Sequence, residues 1–208
     1  MTIQANLQKI LTELGSVKLV AVTKYASAEQ IAELYAAGQR FFGESRIQVA
    51  KDKVPQYPDV EWHLIGHLQS NKAKQAVQLF SLIHSVDSLH LAEALSKEAV
   101  KQNKVQDILI QVNIGNEPQK AGCIPADTAA LVAAAGALPN LNVLGLMAMA
   151  PLSENAEDAR PYFKQMKLLF DAIGGLSLLS MGMSGDYKIA LTEGANLVRI
   201  GSALFEAF

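Results

Sequence analysis

A chain of 208 residues, 50% of them hydrophobic, has enough apolar material for one large buried core. Its 18 Lys and Arg against 20 Asp and Glu leave a net charge of -2, so no general attraction draws it to nucleic acid or to an anionic membrane, and any bound anion must meet a local site. The single cysteine, Cys123, excludes an intrachain disulfide framework and a clustered thiolate metal site, while the polar start Met1 to Lys9 has no signal-peptide pattern and no apolar run is long enough to span a bilayer. One cytoplasmic domain, with neither a nucleic-acid nor a membrane partner, is the expectation.

In chain order, Ile3, Leu7, Ile10, Leu11 and Leu14 form one apolar stripe and predict a helix ahead of the first strand. Leu19–Thr23 reads as that strand. Ser27-Ala28-Glu29-Gln30 is a capping-box pattern, opening a helix through Ile31, Leu34 and Tyr35 that stops at Gly38. Further strands are predicted at Arg40–Phe42, Glu61–Ile65, Leu82–Val86, Asp107–Asn113, Val143–Met149, Leu178–Met181 and Leu197–Ile200, with helices opening near Ser70, Ser88, Pro125 and Asn155. Several strands are apolar nearly throughout, as when both faces of a parallel sheet are covered. Eight such βα units predict an α/β fold: a single (β/α)₈ TIM barrel over residues 1–208, with a parallel sheet and an extra N-terminal helix. The alternative, an open doubly wound sheet, would carry a Gly-x-Gly-x-x-Gly turn after an early strand, and this chain has none.

In such a barrel the chemistry gathers at the C-terminal ends of the strands. Lys24 directly follows the first strand, where an apolar barrel mouth would desolvate its amine and favour a nucleophile; a lysine snorkelling to solvent is the bland alternative. Met183-Ser184-Gly185-Asp186 after the seventh strand and Arg199-Ile200-Gly201-Ser202 at the end of the eighth combine glycines, serine hydroxyls and backbone N–H groups at helix starts, the ingredients of a phosphate cup, although either alone reads equally as an ordinary helix cap. An amine and a phosphate cup in one mouth point to a phosphorylated aldehyde or ketone. Arg199 has a second reading, as a partner of Glu193 or Asp186. The four histidines, His63, His67, His84 and His90, lack a convincing metal-ligand set with carboxylates or the lone thiol.

The segments Ala21-Val22-Thr23-Lys24, Phe42-Gly43-Glu44, Trp62-His63-Leu64-Ile65-Gly66-His67-Leu68-Gln69-Ser70-Asn71-Lys72, Val112-Asn113-Ile114, Lys120-Ala121-Gly122, Gly145-Leu146-Met147, Ser180 to Asp186 and Val198-Arg199-Ile200-Gly201 together resemble the pyridoxal phosphate homeostasis proteins, the YggS/PROSC group, themselves similar to the N-terminal barrel of alanine racemase. The resemblance covers nearly the whole chain, and its Trp-His-x-Ile-Gly-x-Leu-Gln-x-Asn-Lys stretch is specific. It implies pyridoxal 5′-phosphate (PLP) held as a Schiff base on Lys24, Arg199 facing the pyridine nitrogen, and Ser184, Gly201 and Ser202 on the phosphate. Asn113, Met147 and His63 would line the ring pocket, with core packing open for His63 and Met147. The chain departs from the family at Ser45, where an asparagine is usual, in the tail Leu204-Phe205-Glu206-Ala207-Phe208 and in a shorter N-terminal helix.

The resemblance implies a PLP carrier that stores or delivers the cofactor with little or no catalysis, since alanine racemases complete their site with a second, β-rich domain that this sequence does not show. The candidate partners besides PLP are PLP-dependent apoenzymes and amino acids, and the sequence leaves the oligomeric state unset. The rivals are a single-domain PLP-dependent racemase or lyase using Lys24 as its base, and a cofactor-free Schiff-base aldolase.

Overall fold

The computed structural model describes residues 2–205; the tail residues Glu206 to Phe208 singled out above lie outside them. Eight strands close into a barrel in sequence order. They are β1 (Lys18–Val22), β2 (Phe41–Glu44), β3 (Glu61–Leu64), β4 (Leu82–Val86), β5 (Gln106–Val112), β6 (Leu141–Ala148), β7 (Leu178–Ser180) and β8 (Leu197–Ile200). Around them lie α1 (Ile3–Leu14), α2 (Ala28–Ala36), α3 (Ile47–Lys53), α4 (Ala73–Leu79), α5 (Leu89–Lys101), α6 (Thr128–Gly136), α7 (Arg160–Ile173), α8 (Tyr187–Thr192) and the short α9 (Ser202–Phe205). The (β/α)₈ barrel with an extra N-terminal helix is therefore observed. Gly43 and Glu44, expected in a loop, extend β2 because their backbone pairs with His63 and Leu64 of β3.

Every strand pairing is parallel, and β8 closes the sheet on β1 through Lys18↔Leu197, Leu19↔Val198, Val20↔Arg199 and Ala21↔Ile200. Side chains alternate across a strand, so each strand feeds two cores. The outward residues, among them Phe42, Trp62, Ile83, Ile108, Leu146 and Val198, join the helices in the main apolar cluster. Inward-facing Leu82, Leu109 and Met147 form a small separate cluster, with Leu144, Met149 and Leu178 against it. By the same alternation His63, His84, Ser180 and Arg199 face inward, and all four are buried.

Local signals set the helix starts. The Ser27 hydroxyl accepts from Gln30 N at 3.3 Å while Gln30 Oε1 accepts from Ser27 N at 2.9 Å, the reciprocal capping box. Thr2 caps α1 and Ser88 caps α5. The α1 stripe buries Leu7, Ile10 and Leu14, and its polar edge grips the last βα units: Asn6 Nδ2 donates to Leu204 O at 3.2 Å, and Glu13 accepts from the Tyr187 hydroxyl and pairs with Lys188 at 3.2 Å. These bonds hold the Glu13 carboxyl below its usual range, the Tyr187 hydroxyl being the largest cause.

Where strands pack closest, only glycine fits. A Cβ at Gly145 would sit 1.7 Å from the Leu178 carbonyl oxygen across the β6–β7 ladder, whereas one at Gly136, at the end of α6, would meet nothing within 4 Å. Gly145→Ala should therefore lower stability by at least about 1–3 kcal/mol, the usual range for overpacking, while Gly136→Ala should be neutral or stabilising by up to about 1 kcal/mol. Urea denaturation of the two variants checks the contrast; similar midpoints for both would contradict the close β6–β7 approach.

Candidate ligand-binding mouth

A cavity of 610 Å³ opens at the C-terminal ends of the strands, lined by Lys24, Tyr25, Ser45, Met149, Ser184, Arg199, Gly201 and Ser202 among others. Its size suits a small organic ligand. Among the described residues its lining includes two cations, Lys24 and Arg199, and no Asp or Glu.

Lys24 is held from below. All polar groups of Thr23 are engaged: its N–H donates to Gly43 O at 3.0 Å, its hydroxyl to Glu44 Oε1 at 2.6 Å, and its carbonyl accepts from Lys53 Nζ at 2.8 Å. Lys53 also pairs with the same Glu44 oxygen at 2.6 Å, and Glu44 is 1% exposed. A buried carboxylate with both its cation and its hydroxyl donor in place makes a rigid base, so the backbone entering Lys24 is fixed. The Lys24 side chain is exposed, with Nζ 4.8 Å from the centre of the Tyr25 ring. The expected desolvation by the barrel interior is thus not observed, because the stem reaches outward over Tyr25, which is 85% exposed.

The loops after β7 and β8 are tied to each other. Ser184 Oγ accepts from Gly201 N at 3.2 Å and Ala203 N at 3.3 Å, and Arg199 N donates to Gly182 O at 3.0 Å. Asp186 Oδ1 accepts from Met183 N at 2.6 Å, closing the turn that carries Ser184. Gly182 has φ +96°, and a Cβ there would be 2.6 Å from Ala190 Cβ, so the chain turns tightly against α8. A backbone N–H and two serine hydroxyls, those of Ser184 and Ser202, therefore border one corner of the cavity.

Arg199 is 4% exposed. Its Nη2 donates to Ala148 O at 2.9 Å and its Nη1 to Ser180 Oγ. Neither carboxylate weighed as its partner pairs with it: Glu193 pairs with Arg160, and Asp186 acts only through space, opposing the burial that lowers Arg199 to about 10. Desolvation likewise raises the Asp186 carboxyl.

The mouth brings together Lys24, Ser184, Arg199, Gly201 and Ser202. The other three expected residues are placed elsewhere. Asn113 spends its amide on its own loop, donating to Glu117 O at 2.8 Å and Lys120 O at 3.3 Å and accepting from Glu117 N at 3.1 Å. Met147 is fully buried in the barrel interior. His63 lies deeper in the barrel, with Nδ1 3.0 Å from His84 Nε2. Among the described residues no group of three His, Cys, Asp or Glu gathers to hold a metal, and no helix is long and apolar enough to cross a membrane.

The sequence places Met149 at a strand end by position but does not single out Tyr25 or the Glu44–Lys53 clamp. Tyr25 follows Lys24 directly, so position alone could have flagged it; Lys53 sits on a helix and carries no local signal of its partner. Ser45, noted as a departure, lines the cavity, and its carbonyl would lie 2.2 Å from a Cβ at Gly66, which explains the glycine in the Trp62 to Lys72 stretch as a close crossing of two strand-end loops.

The family of the alanine racemase N-terminal domain matches residues 1–207. The pyridoxal phosphate homeostasis protein of Aquifex aeolicus is 44% identical over 195 residues, covering 90% of this chain and 86% of the relative. That of Pseudomonas aeruginosa is 42% identical over 196 residues, covering 93% and 85%. PipY of Synechococcus elongatus, solved with PLP bound, superposes with a TM-score of 0.91 at 40% identity, covering 99% of this chain and 100% of that one. An alanine racemase from Clostridium difficile shares the fold at a TM-score of 0.82 and 14% identity, with this chain spanning 57% of its length. With a closed parallel barrel, a lysine after its first strand and relatives at this level of identity across nearly all their length, the chain belongs to the pyridoxal phosphate homeostasis protein family, within the alanine racemase N-terminal domain family.

Proposed function

We propose that this chain binds pyridoxal 5′-phosphate in the mouth of the barrel, as a Schiff base on Lys24, and stores or delivers it in the cytoplasm with little or no catalysis. The observation that carries the reading is the donor set: an amine, two serine hydroxyls, a backbone N–H and a guanidinium around one cavity, with no carboxylate among the described residues that line it. That set fits an aldehyde, a phosphate and a ring nitrogen that accepts a hydrogen bond, and the PLP-bound PipY relative supports it.

In this reading Lys24 holds the aldehyde carbon, and Ser184, Ser202 and the Gly201 N–H hold the phosphate. The Gly201 and Ala203 N–H groups after β8, from which Ser184 Oγ accepts, and the Ser184 hydroxyl after β7 thus converge on one point where a charged oxygen would be held. The clamp on Thr23 keeps the base of Lys24 fixed while the amine itself is exposed. Met147 and His63 lie below the mouth, while Asn113 orders the loop that follows β5. When bound, the cofactor supplies an electron-accepting ring conjugated to the carbon at the amine. Arg199 is always protonated and only donates, so it would leave the ring nitrogen unprotonated and mute that electron demand. Apoenzymes that take up PLP, and amino acids whose amines can compete with Lys24, are the partners this chemistry suits.

A single-domain racemase or lyase is the second reading. Tyr25 offers a phenol in the mouth, but it sits beside Lys24, and inversion at a carbon needs acid–base groups on both faces.

Borohydride reduction of the PLP-loaded protein followed by peptide mapping should fix the pyridoxyl group on Lys24, with Lys72 and Lys120 unmodified. An adduct on either of those with Lys24 free would refute the assignment. Ser184→Ala with Ser202→Ala should weaken PLP retention in equilibrium dialysis, each hydroxyl contributing about 1–3 kcal/mol as hydrogen bonds to a charged group do. Unchanged affinity would move the phosphate elsewhere. Incubation with L-alanine in deuterated buffer should show negligible exchange of the α-hydrogen; enzyme-like turnover with loss of optical activity would favour the racemase reading.

A further inference from the structure

Inside the barrel, four side chains from four strands form one hydrogen-bonded series leading away from the mouth. Arg199 of β8 donates to Ser180 Oγ of β7; Ser180 Oγ lies 3.1 Å from His84 Nδ1 of β4; His84 Nε2 lies 3.0 Å from His63 Nδ1 of β3. Ser180 and His84 are fully buried, and His63 is 3% exposed. Beyond His63 lie the Phe41 ring, edge-on at 6.1 Å, and Lys18 at the start of β1, whose ammonium is 5.5 Å from that ring.

The direction of each bond follows from the first. A guanidinium can only donate, so Ser180 must accept from Arg199. The Ser180 hydroxyl then has one proton of its own, and in a fully buried site an unmade hydrogen bond is expensive. Its one other partner is His84 Nδ1, which must therefore be the acceptor, leaving the His84 proton on Nε2. That proton goes to His63 Nδ1 and leaves the His63 proton on Nε2. Both rings are neutral: burial pushes His63 down to about 3, with Lys18 adding to it, and burial, His63 and Arg199 push His84 well below its ordinary value. The charged groups acting on the series are Lys18 at the His63 end and Asp186 at the Arg199 end, and Asp186 is already bonded to Met183 N. Every oxygen or nitrogen acceptor in the series thus turns its electron-rich side toward Arg199.

We propose that His84 and His63 are positioning residues for Arg199: through Ser180 their ordered hydrogen bonds fix the plane of its guanidinium, pinned on its other side by the Ala148 carbonyl, and present its remaining donors to the mouth. Its effect on a ligand rests on the reading above, in which the ring nitrogen meets Arg199. Leu82, Leu109 and Met147 form an apolar cluster in the same interior and offer no donor or acceptor that could take over the role.

Nitrogen-15 NMR of the ligand-free chain tests the series directly. Both His84 and His63 should be Nε2–H tautomers, unchanged from about pH 5 to about pH 9, and the Arg199 guanidinium protons should give separate, slowly exchanging signals. His84→Leu and the gentler Ser180→Ala should collapse those signals, and His84→Asn, which puts an acceptor oxygen where Nδ1 lies, should restore them. Affinity for 4′-deoxypyridoxine 5′-phosphate, a ring-and-phosphate probe that cannot bond to Lys24, should fall roughly tenfold in His84→Leu and Ser180→Ala and recover in His84→Asn. An Nδ1–H tautomer or a charged imidazole at either histidine, or Arg199 signals unchanged in both His84→Leu and Ser180→Ala, overturns the proposal. Collapsed Arg199 signals with unchanged probe affinity uphold the positioning role and instead remove the ring from Arg199, counting against the binding mode proposed above.

Discussion

The register between the first and last strands is the constraint on which the rest of the molecule depends. Val20 faces Arg199 and Ala21 faces Ile200 across the closing seam, which leaves Gly201 and Ser202 level with the end of β1 and Lys24 just beyond it. A slip of one residue would turn Arg199 from the barrel interior into the helix layer and exchange it for Val198 or Ile200. The slip is opposed on both faces, because Val198 and Ile200 are fully buried against helices while Leu197 and Arg199 are buried inside. Hydrophobic sorting on one side of a strand therefore sets the position of a charge on the other.

That charge is the costly element of the interior. A buried guanidinium without a carboxylate within ion-pair reach would be strongly unfavourable in a dry barrel. Here it is solvated by a carbonyl, a hydroxyl and two polarised imidazoles. β3, β4, β7 and β8 each place one polar side chain inside, His63, His84, Ser180 and Arg199, alongside the apolar Leu82, Leu178 and Leu197, while β5 and β6 contribute Leu109 and Met147. The Glu44–Lys53–Thr23 clamp solves the complementary problem beneath Lys24, with a fully paired carboxylate as a stiff footing for an exposed amine.

The barrel was legible in the sequence because a parallel sheet covered on both faces leaves short apolar runs at regular intervals, and because helix caps such as Ser27 and Ser88 are local. Lys24, Gly201 and Ser202 were legible for a topological reason: a residue that ends a strand of this fold is at the mouth whatever its neighbours do. Asn113 also ends a strand, yet its short amide reaches the backbone of its own loop first, a competition that spacing does not reveal. His63 and Met147 are expected from the resemblance in the ring pocket, with core packing as the alternative; both lie in the barrel interior outside the cavity lining, since alternation tells which face a side chain takes and not which layer of the barrel it fills. The series from Arg199 to His63 joins residues of β3, β4, β7 and β8, and no local pattern links them.

The strap formed by α1 has a consequence for how the protein is made. It grips α8 through Glu13 and the start of α9 through Asn6, and β1 gains its second neighbour only when β8 arrives. A nascent chain on the ribosome carries α1 and β1 first, with one strand edge open, and cannot seat either until the final βα units have emerged. The mouth shares those same units. In the binding mode proposed above, the amine, made early, would meet its phosphate corner only when these last units are in place.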